Sequence, residues 1–191
     1  MPIHSTAGGR MRVMGRMAIA IVLLGALAPA SQADVAASAP GGFVLKIETS
    51  VAAAPAEVYA QFIQIGQWWS DAHTYSGKAA NMTLTATPGG CFCEALADGG
   101  FVRHAAVEYS VPGKALRLSG ALGPLQEMGA YGLLSFRFEP DGAKTRLVTT
   151  YTVSGFMPGK GLAEVAAPVN GVLTEQVTRL KRLAETGKTG V

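Results

Sequence analysis

Apolar and polar positions divide this chain into stretches of two different periods. Positions 43–50 alternate, with Phe43, Leu45 and Ile47 on one side and Lys46 and Glu48 on the other, as a half-buried strand requires. A helical pattern follows. Pro55 suits a first helical position, Glu57 favours the positive end of the helix dipole, and Val58, Tyr59 and Phe62 share a face. A second short helix is expected over 64–69, ending in Ser70-Asp71. Alternation then returns and predicts strands over 81–87, 91–97, 101–110, 116–122, 131–139 and 145–154. Turn residues separate them, among them Pro88-Gly89-Gly90, Asp98-Gly99-Gly100 and Pro140-Asp141-Gly142. Loops this short imply an antiparallel meander.

The chain closes on a helical pattern over 162–184, where Leu162, Val165, Val169, Leu173, Val177 and Leu180 recur at steps of three and four. Such a stripe must lie on the sheet. Lys181 and Arg182 suit the last turns and Gly187 a stop, while Pro168 implies either a kink or the start of the main helix.

With 191 residues, 49% of them hydrophobic and 15% charged, the chain suits one packed domain. Its N-terminus changes the charge picture. Arg10, Arg12 and Arg16 precede an uncharged run over 17–27 and the small residues Ala28-Pro29-Ala30-Ser31-Gln32-Ala33. This reads as a signal peptide over 1–33, cleaved after Ala33, with an apolar run shorter than the roughly 17–25 residues that span a bilayer. The expected division is then a flexible tail over 34–42, a domain over 43–186 and a C-terminal tail over 187–191. Removing three arginines leaves 13 basic and 13 acidic residues, so the mature domain has no basic footprint for nucleic acid or an anionic membrane. The expected setting is an export compartment, the periplasm of a Gram-negative cell, with no stable membrane insertion after cleavage.

The order of elements, together with Ala54-Pro55-Ala56-Glu57-Val58-Tyr59, Gln67-Trp68-Trp69, Gly89-Gly90-Cys91-Phe92 and Val153-Ser154-Gly155-Phe156, resembles the START-like, helix-grip superfamily, also called SRPBCC. Within it the chain is similar to the polyketide cyclase/dehydrase and chaperone-ATPase-activator homologue branch. The resemblance covers about 42–186. It implies an α+β fold in which a curved antiparallel sheet, about seven strands by the alternation, wraps a long C-terminal helix, with two short helices after the first strand. It further implies a cavity between sheet and helix that holds a small hydrophobic molecule. Fold by itself implies no reaction.

Candidate chemistry gathers in the hairpin that opens at Cys91. Cys91 and Cys93 fall on one face of a strand, Phe92 and Glu94 on the other. The thiols are expected as small buried hydrophobes; a disulfide would require a bulge, and thiol redox or metal chemistry is the third reading. The turn decides what His104 meets. A two-residue Asp98-Gly99 turn, which the residue types favour, sets His104 across from Cys93 and Arg103 across from Glu94. Adding Gly100 to the loop sets Glu94 across from His104, a candidate acid–base pair.

Expected ligand-facing residues are Trp69, His73 and Tyr75 at a helix end, Gln126 and Met128 in a lid-like loop over 122–129, and Tyr131, Tyr151 and Phe156. No metal site and no cofactor is expected. The sequence contains no Gly-Xaa-Ser-Xaa-Gly elbow, phosphate loop, zincin motif or dinucleotide fingerprint. Binding of a small hydrophobic or amphipathic molecule is therefore the first expectation. A cyclase, dehydratase or hydrolase using Glu94 and His104 is the alternative.

Overall fold

The computed structural model describes residues 1–4, 32–157, 159 and 161–189. The charged and apolar parts of the expected signal segment lie outside those residues. An eight-stranded antiparallel sheet forms in the order β1-β2-β8-β7-β6-β5-β4-β3. Its strands are β1 (Gln32–Ala39), β2 (Gly42–Val51), β3 (Met82–Leu84), β4 (Cys91–Ala95), β5 (Phe101–Val111), β6 (Ala115–Ser119), β7 (Tyr131–Asp141) and β8 (Lys144–Ser154). The helices are α1 (Pro55–Phe62), α2 (Ile65–Trp68) and α3 (Ala166–Thr186). This is the expected helix-grip class with one more strand than alternation shows.

The extra strand is a correction. The last two residues of the expected signal segment and the stretch expected as a flexible tail pair with β2, from Gln32↔Glu48 to Ala39↔Gly42, with a register shift between Val35 and Ala37. Its small residues bury little, so no hydrophobic period announces it; the open hydrogen-bonding edge of β2 does the work. β3 is likewise shorter than expected, because a 3-10 turn over Ala79–Asn81 takes Asn81 and the strand stops at Leu84, short of the Pro88-Gly89-Gly90 turn.

Local chemistry explains the helices. The Glu57 carboxylate accepts the Ala54 N–H at 3.1 Å and Pro55 opens α1, whose Val58, Tyr59 and Phe62 are buried. Ahead of α3 a 3-10 turn covers Leu162–Val165, and Pro168 then occupies the first turn of α3, where no ladder bond is lost. At the other end Gly187 is left-handed (φ 73°), and its N–H donates to the Leu183 carbonyl at 2.8 Å.

α3 lies against β1, β2 and α1, and Leu173, Val177 and Leu180 join Phe43, Leu45, Ile47 and Leu147 in one core. Beside it runs an aromatic chain. Phe62 packs on Trp68, Phe136 and Phe138, and Trp68 on Trp69, whose ring meets Phe92 edge-on at 5.2 Å. That chain leads from α1 to β4. Leu180 is 0% exposed; Leu180→Ala is expected to lower unfolding free energy by about 2–5 kcal/mol in urea titration, since the packed helix leaves the cavity open.

Candidate functional site

The β4–β5 hairpin combines an expected turn with an unexpected register. Asp98 (φ 56°) and Gly99 (φ 76°) are both left-handed, and Gly100 N–H donates to the Ala97 carbonyl at 3.0 Å, as an Asp-Gly turn should. Leu96 N–H, however, donates to the Gly100 carbonyl at 2.9 Å, and the ladder runs Ala95↔Phe101, Glu94↔Val102, Cys93↔Arg103. Pairing then jumps to Phe92↔Ala105, leaving His104 as a bulge residue. Between the turn and the bulge neither expected register is therefore correct: His104 is not across from Cys93, and Arg103 is not across from Glu94; beyond the bulge the pairing is that of the two-residue turn. The bulge turns both His104 and Ala105 inward, to 4% and 2% exposure.

The result is still an acid–base pair. His104 Nε2 lies 3.0 Å from Glu94 Oε2, and Glu94 is 1% exposed. The same carboxylate accepts the Tyr75 N–H at 3.2 Å and the Ser76 N–H at 2.5 Å. Burial pushes the Glu94 carboxyl up, but hydrogen bonds from Ser76, Tyr75 and His104 outweigh it and hold it below the usual carboxylate range. Burial holds the His104 imidazole below its ordinary value, against the pull of Glu94. Near neutral pH an ionised Glu94 thus faces a neutral imidazole. Glu94 can only accept, so Nε2 carries the proton and Nδ1 is a free lone pair. Among the described residues none hydrogen-bonds that Nδ1.

Rings enclose the imidazole. Phe92 lies 4.6 Å from it, centroid to centroid, and the half-exposed Tyr75 lies 5.9 Å from it. The Tyr75 phenol is pushed up by burial first, then by Glu127 of the 122–129 loop and by Glu94. That loop is fastened by the buried Leu125 and by Gln126 Nε2, which donates to the Arg103 carbonyl at 3.2 Å. Gly120 seals the back of the bulge. A Cβ there would stand 2.3 Å from the His104 carbonyl and 2.6 Å from Ala105 Cα, so only glycine fits.

Of the expected ligand-facing residues, Tyr75 covers His104 and Gln126 reaches the strand beside it, while Met128 packs against the core. Trp69 is 6% exposed, its Nε1–H donating to the His73 carbonyl at 2.8 Å, so it supports Phe92 from behind. His73 turns instead to Glu175 on α3, at 3.0 Å. Tyr151 faces inward but is committed: its hydroxyl donates to the Gly120 carbonyl and accepts the Leu122 N–H, each at 3.1 Å. Burial pushes that phenol up to about 12, which unsuits it for proton transfer near neutrality. Tyr131 is 59% exposed on the outer face of β7, since the inward positions there are Gly132, Leu134 and Phe136, and Phe156 is 88% exposed in the loop after β8. Period-two alternation from the buried Phe136 would have excluded Tyr131. Ser76, Phe92 and Gly120 were not among the expected site residues; Gly120, just after a strand, gave the one usable signal.

The two cysteines form a Cys91–Cys93 disulfide, with Cα atoms 5.5 Å apart, and are not the buried thiols expected. A bridge over so short a loop constrains the unfolded chain by only about 1.5 kcal/mol in the loop-entropy account, so its main effect is local. Two hollows of about 420 Å³ each lie away from α3. One is lined by Tyr109, Arg117, Ser135, Arg137 and Thr150, the other by Pro55, Lys114 and Phe138 with their neighbours. Neither is the expected space between sheet and last helix.

The sequence matches the family model of polyketide cyclase / dehydrase and lipid transport proteins over residues 44–185. The chain belongs to that family. Its fold is similar to that of CalU16 from Micromonospora echinospora, at 14% identity and a TM-score of 0.54, covering 81% of this chain and 84% of that one. It is likewise similar to a conserved protein of unknown function from Enterococcus faecalis (12% identity, TM-score 0.54, covering 82% and 78% of the two chains). The Aha1 dimer from Colwellia psychrerythraea gives 18% identity and a TM-score of 0.51, covering 76% of this chain and 98% of that one. These likenesses show the fold alone. No curated protein matches the sequence significantly.

Two outcomes follow from the pair's chemistry. His104 has a lowered folded pKa, so the unfolded chain binds the proton first and stability falls as pH drops below the ordinary histidine value of 6.5. Glu94 is lowered too, so its contribution, present above 4.5, is lost as pH falls through its folded value. Melting temperature against pH should show both declines, and His104→Gln should remove only the first. Gly120→Ala should cost roughly 1–3 kcal/mol in urea titration, because the new methyl meets backbone that cannot yield cheaply.

Proposed function

We propose that this protein binds a small hydrophobic or amphipathic molecule at the end of the sheet where Tyr75 covers His104. The observation that carries the reading is the buried neutral imidazole whose Nε2 is fixed by Glu94 and whose Nδ1 has no partner among the described residues. A neutral acceptor between aromatic faces favours a ligand whose polar end donates, such as a phenol, enol or alcohol. The nearby Glu94 and Glu127 disfavour a carboxylate. Tyr75, on the segment that Glu94 anchors through backbone N–H groups, would swing aside to admit the ligand and close over it. The family's scope, from polyketide cyclisation and dehydration to lipid transport, supports a ligand of this kind.

The Glu94–His104 distance of 3.0 Å favours a second reading, an enzyme of the cyclase, dehydratase or hydrolase sort. His104 Nδ1 would then take a proton from the bound molecule, and ionised Glu94 would stabilise the imidazolium that forms. An export compartment remains part of the proposal, supported by the leader-like N-terminus and by a disulfide of the kind that persists in oxidising surroundings.

Calorimetric titration with 2-naphthol, naphthalene and a medium-chain fatty acid tests the reading. The naphthol should bind tightest, and His104→Leu should weaken it about five- to tenfold, the worth of one buried hydrogen bond, while leaving naphthalene nearly unchanged. Binding should also weaken as pH falls through the folded value of His104, which lies below 6.5, and Nδ1 takes a proton. Equal affinity for all three probes, or no binding of any, would overturn it. Release of a transformed product from a hydroxylated polyketone would favour the enzyme.

A further inference from the structure

β4 keeps its site residues on one side and a disulfide on the other. Cys91 and Cys93 are half-buried, so their bridge lies within reach of solvent. Their Cα atoms stand 5.5 Å apart, whereas residues two apart in an extended strand stand about 6.4–6.8 Å apart. The bridge therefore draws β4 in by roughly 1 Å across Phe92. Opposite this same step the pairing jumps from Phe92↔Ala105 to Cys93↔Arg103, which makes His104 the bulge residue.

The bridged segment also carries the partners of His104. Phe92, between the two cysteines, stacks 4.6 Å from the imidazole and 5.2 Å from Trp69. Glu94, next to Cys93, binds His104 and both backbone N–H groups that tie down Tyr75 and Ser76.

We propose that the Cys91–Cys93 bridge is a redox-modified site: an external dithiol opens it in the folded protein, and opening it loosens the Glu94–His104 pair and the Tyr75–Ser76 segment. The chemistry is two-step exchange. One thiolate of the dithiol attacks a bridge sulfur, forming a mixed disulfide and expelling the other cysteine as a thiolate. The dithiol's second thiolate then attacks the mixed disulfide, closes its own disulfide and expels the second cysteine. Two electrons pass to the bridge, the dithiol is oxidised, and the protons it gave up match the two taken by Cys91 and Cys93. With the bridge open, β4 returns to extended spacing, and a displacement of about 1 Å is enough to disturb site geometry. This inference does not depend on what the site binds, and its readouts are properties of the protein alone.

The test is hydrogen exchange by NMR on the folded full chain, oxidised and then treated with dithiothreitol, with thiols counted in parallel. On reduction the Tyr75 and Ser76 amides should exchange at least about tenfold faster while the Leu180 amide stays within about twofold, and reoxidation should reverse the change. The double variant Cys91→Ser, Cys93→Ser should show the fast exchange with or without dithiol. Thiols that appear only in denaturant would overturn the proposal. So would reduction that leaves Tyr75 and Ser76 unchanged, or that speeds Leu180 equally and so marks the bridge as a global staple.

Discussion

A carboxylate inside a protein wall has to be surrounded by donors, and Glu94 meets that demand at 1% exposure. Three donors converge on it: Nε2–H of His104 and the backbone N–H groups of Tyr75 and Ser76. They come from two constraints. His104 is inward because β5 bulges, and the two amides are in place because the segment after α2 crosses the mouth of the hairpin. Removing the charge would release all three at once, so Glu94 organises the covering segment as well as the imidazole. Its strength as an anchor and its usefulness to a bound molecule are the same electrostatic fact.

The rest of the fold holds that arrangement from behind. The aromatic chain from Phe62 through Trp68 and Trp69 ends on Phe92, whose ring lies against the imidazole. Gly120 lets β6 approach the bulge closely, and Tyr151 ties the carbonyl of Gly120 to the Leu122 amide through its hydroxyl. α3 contributes mainly stability, because its apolar stripe covers β1 and β2 at the other end of the sheet. Function on this scaffold therefore has to be argued from the hairpin. The family it belongs to spans cyclisation, dehydration and lipid transport, and shared architecture does not choose among them.

Much of this is legible in the sequence. Alternation located β2, β5, β7 and β8, the three- and four-residue steps located α3, and the Asp98-Gly99 turn has the backbone its residue types require. These features depend on neighbours within a few positions, where sterics and side-chain period act directly. β1 escaped because its pairing is carried by backbone groups on the edge of β2, and its side chains bury little.

The site was decided at longer range. A turn fixes only the pair that closes it, and here an irregularity beside the turn and a bulge at His104 each moved the register. The sequence by itself determined that Glu94, His104, Cys91 and Cys93 would share one hairpin, since an Asp98-Gly99 turn falls between two alternating stretches. Only the tertiary structure decided that Glu94 and His104 face each other across a bulge while the cysteines join on the opposite face. The physical reason is that a bulge has no period of its own. It forms where burying His104 beside an ionised partner, fitting Gly120 against its carbonyl and stacking Phe92 on its ring together outweigh the hydrogen bond the ladder loses.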